Sequence, residues 1–325
     1  MNKETKFYAA PMEGITGYVY RNAHRHYFHG VDKYFTPFLT PKQGKGWTSK
    51  EKNDVMPEHN RGVFVVPQIL TNRADDFVRM ATQLEEIGYE EVNLNLGCPS
   101  RTVTAKGKGS GFLAEPEELR RFFDQVFSRV TVKVSVKSRL GVERPEEVHR
   151  LMEIYNEFPL CEVILHARVQ KDLYKKPVNR EGFRQAFLLC GHPMCYNGDI
   201  YTKKDYEDFS AEFASVNGVM CGRGMLANPE LPERIKAREL PGGIQVKAKE
   251  TEAPLDRMRW KGFHDEVCRG YEEIMSGERN VLFKMKELWS YMITSFPEGK
   301  QYGKKIRKVT RLSEYKKIVE ELFLS

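Results

Sequence analysis

Eight strand–helix units closing into a barrel, followed by an all-helical domain, is the fold class this sequence predicts. Three observations predict it. Eight short β-branched or aromatic runs recur over the first two thirds of the chain, mostly at intervals that could hold a helix, which argues for βα units and a parallel sheet. Polar and glycine-rich residues collect just after seven of those runs, at the strand ends where such barrels carry their active sites. Beyond about residue 240 the strand rhythm stops and apolar residues recur at helical spacing. The class is therefore α/β, a (β/α)8 TIM barrel over residues 1–240 with a C-terminal all-α helical domain over 241–325.

The strand runs start at Phe7-Tyr8-Ala9-Ala10 and Tyr34-Phe35-Thr36, and continue through residues 62–70, around Val63-Phe64-Val65-Val66. Val92–Leu96, Val130–Val136, Val163–His166, Met194–Tyr196 and Val219–Cys221 complete the set. Helix starts lie between them. Pro116 precedes Glu117 and Glu118, and Pro145 precedes Glu146 and Glu147. Proline suits the first helical position, and carboxylates there meet the positive helix end. Thr202 stands three residues before Asp205, close to a capping box. Asn228-Pro229-Glu230 reads as a cap followed by a first-turn proline. Residues 240–254 are turn-rich and polar, a linker. After it, Phe263, Val267, Tyr271 and Ile274, then Ile306, Val309, Leu312, Tyr315, Val319 and Leu322, mark helices.

Composition excludes several classes. Of 325 residues, 40% are hydrophobic and 30% charged, which suits a globular enzyme and not a disordered chain. The net charge of +7 permits an anionic partner without demanding one. No run approaches the roughly 18 apolar residues of a membrane helix, and no apolar core follows the charged start Met1–Lys6. Six cysteines without a Cys-x-x-Cys pair indicate free thiols in a cytoplasmic protein and no metal site.

Some residues at the strand ends carry chemistry. Cys161, Cys195 and Cys221 sit in apolar strands and read as small core residues. Cys98 instead follows a strand end, between Gly97 and Pro99. A thiol with pKa near 8.5 is mostly protonated at neutral pH, so it suits a proton donor as well as a nucleophile. Lys137, at the inner end of its strand, would put a positive charge over an electron-rich ligand. At an outward position it would only snorkel. His166 reads equally as a satisfied core histidine or a site residue. Asn197-Gly198-Asp199 and Gly222-Arg223-Gly224 end the last two strand runs, where such barrels often bind phosphate. His24, His26 and His29 lie in a charged helix and read as a solvated face.

The ordered set Ala10-Pro11-Met12-Glu13-Gly14, Gln68, Asn95-Leu96-Gly97-Cys98-Pro99, Lys137-x-Arg139, His166-x-Arg168, Asn197-Gly198-Asp199 and Gly222-Arg223-Gly224 strongly resembles the tRNA-dihydrouridine synthases. That resemblance implies FMN at the mouth of the barrel and NADPH as its reductant. Its phosphate would sit on Asn197, Gly198, Asp199, Gly222 and Arg223, with Pro11, Met12, Gln68, Lys137 and His166 around the ring and chain. Hydride from flavin N5 would go to C6 of a uracil in tRNA, and Cys98 would protonate C5. Asn95 and Arg168, with His166, are the candidates for holding the uracil or the flavin. Gly17 departs from the family pattern, where an aspartate is common.

Residues 256–325 hold 15 Lys or Arg against 11 Asp or Glu, and no acid interrupts Lys300, Lys304, Lys305, Arg307, Lys308 and Arg311. With that fold, the cluster is expected to contact tRNA, and Lys304, Lys305, Arg307 and Lys308 are its proposed contacts. A monomer acting on tRNA, not on DNA or a membrane, is the expectation. The rival is a flavin barrel acting on a small dihydropyrimidine, as dihydroorotate dehydrogenases do; it leaves the basic tail unexplained.

Overall fold

The strand runs pair in parallel into one sheet whose two ends meet at Pro67. A computed structural model of the protein describes residues 5–42, 47–237 and 255–325. Its strands are β1 (Lys6–Ala9), β2 (Lys33–Phe35), β3 (Val65–Val66), β4 (Gln68–Ile69), β5 (Glu91–Leu96), β6 (Lys133–Arg139), β7 (Glu162–His166), β8 (Met194–Asn197) and β9 (Gly218–Cys221). The sheet order is β3-β2-β1-β9-β8-β7-β6-β5-β4. β3 and β4 are two halves of one predicted run. Pro67 has no N–H and so interrupts the ladder between them. β3 pairs with β2 and β4 with β5, which closes the eight predicted staves into a barrel. Tyr8, Phe35, Val66, Ile164, Cys195 and Met220 form a buried cluster among these strands.

The chain divides into two compact units, and the barrel sheet lies wholly in the first, which is drawn from residues 1–18, 32–199 and 208–222. Its helices start where the sequence signals put them. Helix Pro116–Phe127 has Pro116 in its first turn and buries Leu119, Phe122, Phe123 and Val126, a stripe at helical spacing. Phe122 meets Phe77 of helix Ala74–Glu86 edge-on at 5.7 Å. Pro145 opens a single 3-10 turn that leads into helix Val148–Asn156.

The second unit takes residues 19–31, 200–207 and 223–325. The expected division at 240/241 and the 240–254 linker lie outside the described residues or at their edge. The helices Arg257–Ile274, Glu278–Met292, Gly299–Lys308 and Leu312–Leu324 are as predicted in kind. Phe263, Val267, Tyr271, Ile306, Val309, Leu312, Tyr315, Val319 and Leu322 are all buried, while Ile274 at the helix end is exposed. Thr202 and Asp205 do form a reciprocal cap, with bonds of 3.1 and 2.9 Å. Asn228 does not cap a helix start. Its side chain accepts the Glu230 N–H at 3.1 Å in a local turn, and the next helix, Leu231–Lys236, begins later, with Pro232 in its first turn.

His24 corrects the reading of a solvated histidine face. Helix Tyr18–Tyr27 turns Tyr20, Ala23 and His24 inward, and the His24 ring lies among Tyr20, Phe28 and Phe263. Its Nε2 donates to the Pro229 carbonyl at 3.0 Å, and burial pushes its pKa down to about 4. His26 and His29 are exposed, as expected. Among the described residues, no group of three or more His, Cys, Asp or Glu side chains could hold a metal.

Candidate active site

Alternation along a strand sends residues i and i+2 to the same face. Asn93 and Asn95 of β5 therefore point together, and Gln68 of β4 stands beside them. A backbone N–H can only donate, which fixes the amide orientations from one end. Asn95 Oδ1 accepts the N–H groups of Gly97 (3.1 Å) and Cys98 (2.9 Å). Its Nδ2 then donates to Gln68 Oε1 at 2.7 Å. Gln68 Nε2 donates to Asn93 Oδ1 at 2.8 Å, and Asn93 Nδ2 to Ser135 Oγ at 2.9 Å. This relay of buried amides, anchored in three strands, holds the turn that carries Cys98.

The far side of that turn is held as firmly. The Cys98 carbonyl accepts the Ser110 N–H at 3.1 Å and is 3.0 Å from Ser110 Oγ. Gly109 makes this approach possible: its φ is +58°, and a Cβ would lie 2.7 Å from the Cys98 carbonyl oxygen. Arg139, buried at the end of β6, donates from Nε to the Gly97 carbonyl at 2.8 Å and from Nη1 to the carbonyls of Val169 and Leu173. It ties the loop after β5 to the loop after β7. Burial raises the Cys98 pKa above its ordinary value, and Lys137 and Arg139 pull the other way without reversing it. The thiol is protonated at neutral pH.

Lys137 reaches across the barrel to Asn197, with Nζ 2.9 Å from Oδ1. Asn197 Nδ2 donates to the Met220 carbonyl at 2.8 Å, so its oxygen must face the lysine. Burial, with Arg139 adding, pushes the Lys137 pKa down to about 8. At the end of β7, Arg168 is fully buried. It pairs two nitrogens with the Asp199 carboxylate and donates from Nε to the Lys176 carbonyl at 2.6 Å. Arg168 Nη1 lies 3.1 Å from His166 Nε2. Since arginine only donates, Nε2 accepts and the His166 proton sits on Nδ1. Asp199, expected at a phosphate, is thus the counter-ion of Arg168.

The remaining barrel residues gather at the same strand ends. The turn after β1 is closed by the Met12 N–H donating to Thr16 Oγ1 at 2.8 Å. A Cβ at Gly222 would stand 3.3 Å from Ala10 Cβ and 3.4 Å from Met12 Sδ, so glycine there keeps open the space beside the Pro11–Met12 turn. Gly198 has a packing role: a Cβ would collide with the Tyr196 hydroxyl at 2.1 Å. Arg223 belongs to the second unit, where its guanidinium lies 5.8 Å over the Tyr201 ring. Gly17 lacks a carboxylate of its own, yet one stands beside it. Asp54 Oδ1 is 3.0 Å from where its Cβ would be, and accepts the Tyr18 N–H at 2.7 Å.

Sequence reasoning missed Asn93 and the clamp made by Arg139, although the Asn-x-Asn alternation was a usable signal for the first. It also missed Tyr174, half exposed, whose ring lies 5.2 Å from the Arg139 guanidinium and 5.7 Å from the His166 ring. No periodicity marks that loop. In the second unit, Lys304, Lys305, Arg307 and Lys308 share the helix Gly299–Lys308 but not one face. Lys305 leans over Tyr302 at 4.7 Å and lies 3.8 Å from Glu321.

The family model for "Dihydrouridine synthase (Dus)" matches residues 8–325. The tRNA-dihydrouridine(16) synthase of Pseudomonas putida (strain KT2440) is 25% identical over 298 residues, 89% of this chain and 88% of that one. The tRNA-dihydrouridine synthase B of Pasteurella multocida (strain Pm70) is 25% identical over 229 residues, 70% and 68% of the two chains. A solved structure of TcOYE with pHBA superposes with a TM-score of 0.52 at 10% identity, over 71% of this chain and 88% of that one, a likeness of fold. A protonated thiol and a buried lysine at the mouth of a parallel barrel, in a chain with these relatives, define a flavin-dependent oxidoreductase. More narrowly, the chain belongs to the dihydrouridine synthase family. No helix among the described residues is long and apolar enough to cross a membrane.

Proposed function

We propose that the protein reduces a uridine of tRNA to 5,6-dihydrouridine, with FMN as its cofactor, NADPH as the reductant and Cys98 as the acid. The observation that carries this reading is the Cys98 thiol, kept protonated by burial and held in place by the Asn95–Gln68–Asn93 relay. Reducing a 5,6-double bond needs a hydride at one carbon and a proton at the other. Bound FMN supplies the hydride, to C6 of the uracil. Cys98 gives its proton to C5, and Lys137 and Arg139 stabilise the thiolate until solvent reprotonates it.

The donor set suits a flavin. The open space at Gly222 beside Met12 would take a flat ring, and Lys137, held by Asn197, would lay positive charge on its electron-rich edge. Pro11, Met12, Gln68 and His166 would line that ring, with Asn197, Gly198 and Gly222 nearest the phosphate. Arg223, which follows Gly222 in the chain, would add charge there. Arg168 and Asp199 would position His166 and leave the anion to the neutral donors. Asn95 and Arg168 remain the candidates near the uracil, and Lys304, Lys305, Arg307 and Lys308 those for tRNA phosphates. The protein would act as a monomer in the cytoplasm.

Mass spectrometry of tRNA lacking dihydrouridine, incubated with the protein, FMN and NADPH, tests this reading. A gain of two hydrogens at a mapped uridine is expected. A yellow protein that oxidises NADPH without modifying tRNA would point to a small pyrimidine instead.

A further inference from the structure

A cavity of about 540 Å³ lies in the second unit between helices Glu278–Met292 and Gly299–Lys308, within the size range of small-ligand pockets. Its rim is cationic. Lys300, Lys304 and Arg307, spaced four and three residues apart, fall on one face of the second helix and line the opening. None of the residues lining the cavity is acidic. None of these three cations has a carboxylate partner among the described residues. Lys305 and Lys308 fall on a different face and do not line it, which splits the cluster the sequence presents as one.

The floor is apolar and aromatic, built from Trp289, Phe296, Ile293 and Ile306. Gly303 lies in the middle of the cationic face and adds no side chain to fill the opening. Lys286, from the facing helix, donates to the carbonyls of Arg307 and Val309 at 3.0 and 2.5 Å. It thus neutralises the negative helix end and leaves the rim cations to an outside anion.

We propose that this cavity takes one unstacked nucleotide of the RNA substrate, its ring on the apolar floor and its phosphate on Lys300, Lys304 and Arg307. The inference rests on the tRNA reading above. A cationic rim alone would suit any anion. The flat apolar floor beneath it adds the π-faced surface that single-stranded bases stack on. The site would grip a loop nucleotide at a point other than the uridine that is reduced.

Ser290 lines the cavity and is exposed, so Ser290→Trp would block the floor without changing charge. Filter binding of an unmodified tRNA transcript at fixed salt should show its Kd raised about tenfold, roughly one stacked base, with the urea unfolding midpoint unmoved. A Kd within twofold of wild type overturns the pocket. Independently of any variant, a transcript with 4-thiouridine in its loops should crosslink under near-ultraviolet light to the peptide spanning residues 286–307. A bound transcript that never marks that peptide also overturns it. A wild-type protein that neither binds nor modifies tRNA overturns the functional reading together with this one.

Discussion

Cys98 differs from the other cysteines in its setting more than in its chemistry. Cys195 and Cys221 are buried in strands, where burial raises the thiol pKa further still, and nothing places a substrate against them. Cys98 stands at a strand end with its flanking N–H and carbonyl both held. Cys98→Ala should therefore retain flavin and tRNA and lose dihydrouridine formation, checked by absorbance, filter binding and tRNA mass spectrometry on one preparation. Lys137 makes a prediction in pH. Its pKa of about 8 means the ammonium is charged below that pH and neutral above it. If it holds an anionic cofactor by charge, FMN affinity falls as pH rises through about 8. In Lys137→Met, affinity should be lower and flat across that range, measured by flavin fluorescence titration. An unchanged pH profile in the variant would remove Lys137 from the cofactor site. Both residues were legible in the sequence because a reactive type stood at an end of a strand. His24 was not, because its neighbours in sequence are charged and its partner Phe263 is over two hundred residues away.

At the scale of elements, strands were legible from composition and their order from the barrel rule. The break at Pro67 was not anticipated, because a proline within an apolar run does not reveal that the run serves two neighbours. Helix starts were legible where a cap and a first-turn proline coincide, as at Pro116. They failed at Asn228, where the side-chain bond closes a turn and the helix waits three residues. The amide relay spans β4, β5 and β6, and its direction is set by two backbone N–H groups. Asn95→Asp tests it with little change of shape. The new carboxylate still accepts from Gly97 and Cys98, but it faces Gln68 Oε1 with an acceptor in place of a donor. Loss of one buried hydrogen bond with two acceptors opposed costs about 1–3 kcal/mol. The urea midpoint should fall accordingly, and turnover should fall more than tRNA affinity, because the relay places Cys98 and touches no phosphate. A loss of tRNA affinity with turnover intact would make Asn95 a binding residue only.

On the scale of the whole barrel, catalytic and stabilising residues occupy opposite ends, as the fold favours. The mouth carries Cys98, Lys137, His166 and Asn197. The strand starts carry a different polar set that sequence reading did not single out, since each member looks like a surface charge beside its own neighbours. Lys33 at the start of β2 bonds Glu91 of β5 at 2.7 Å and Glu162 of β7 at 3.3 Å. Tyr8 of β1 and Asn217, just before β9, donate to Glu162 Oε1 at 2.8 and 2.6 Å. One cation thus faces two buried carboxylates, and the cluster joins strands from every quarter of the barrel. Burial alone would lower the Lys33 pKa, but Glu162 and Glu91 outweigh it and raise the value. A raised lysine pKa stabilises the fold at every pH below its unfolded value, and the contribution is lost as pH rises through the folded one. Lys33→Met removes the cation and leaves two carboxylates buried together, a change that costs about 3–5 kcal/mol. Glu162→Gln leaves the Lys33–Glu91 pair neutral and should cost less. Urea unfolding at pH 7.5 should rank wild type above Glu162→Gln, and Glu162→Gln above Lys33→Met. The Lys33→Met deficit should narrow as pH falls and the carboxylates take up protons. Equal midpoints for Lys33→Met and wild type would show that the bottom of the barrel is held by its apolar layers alone.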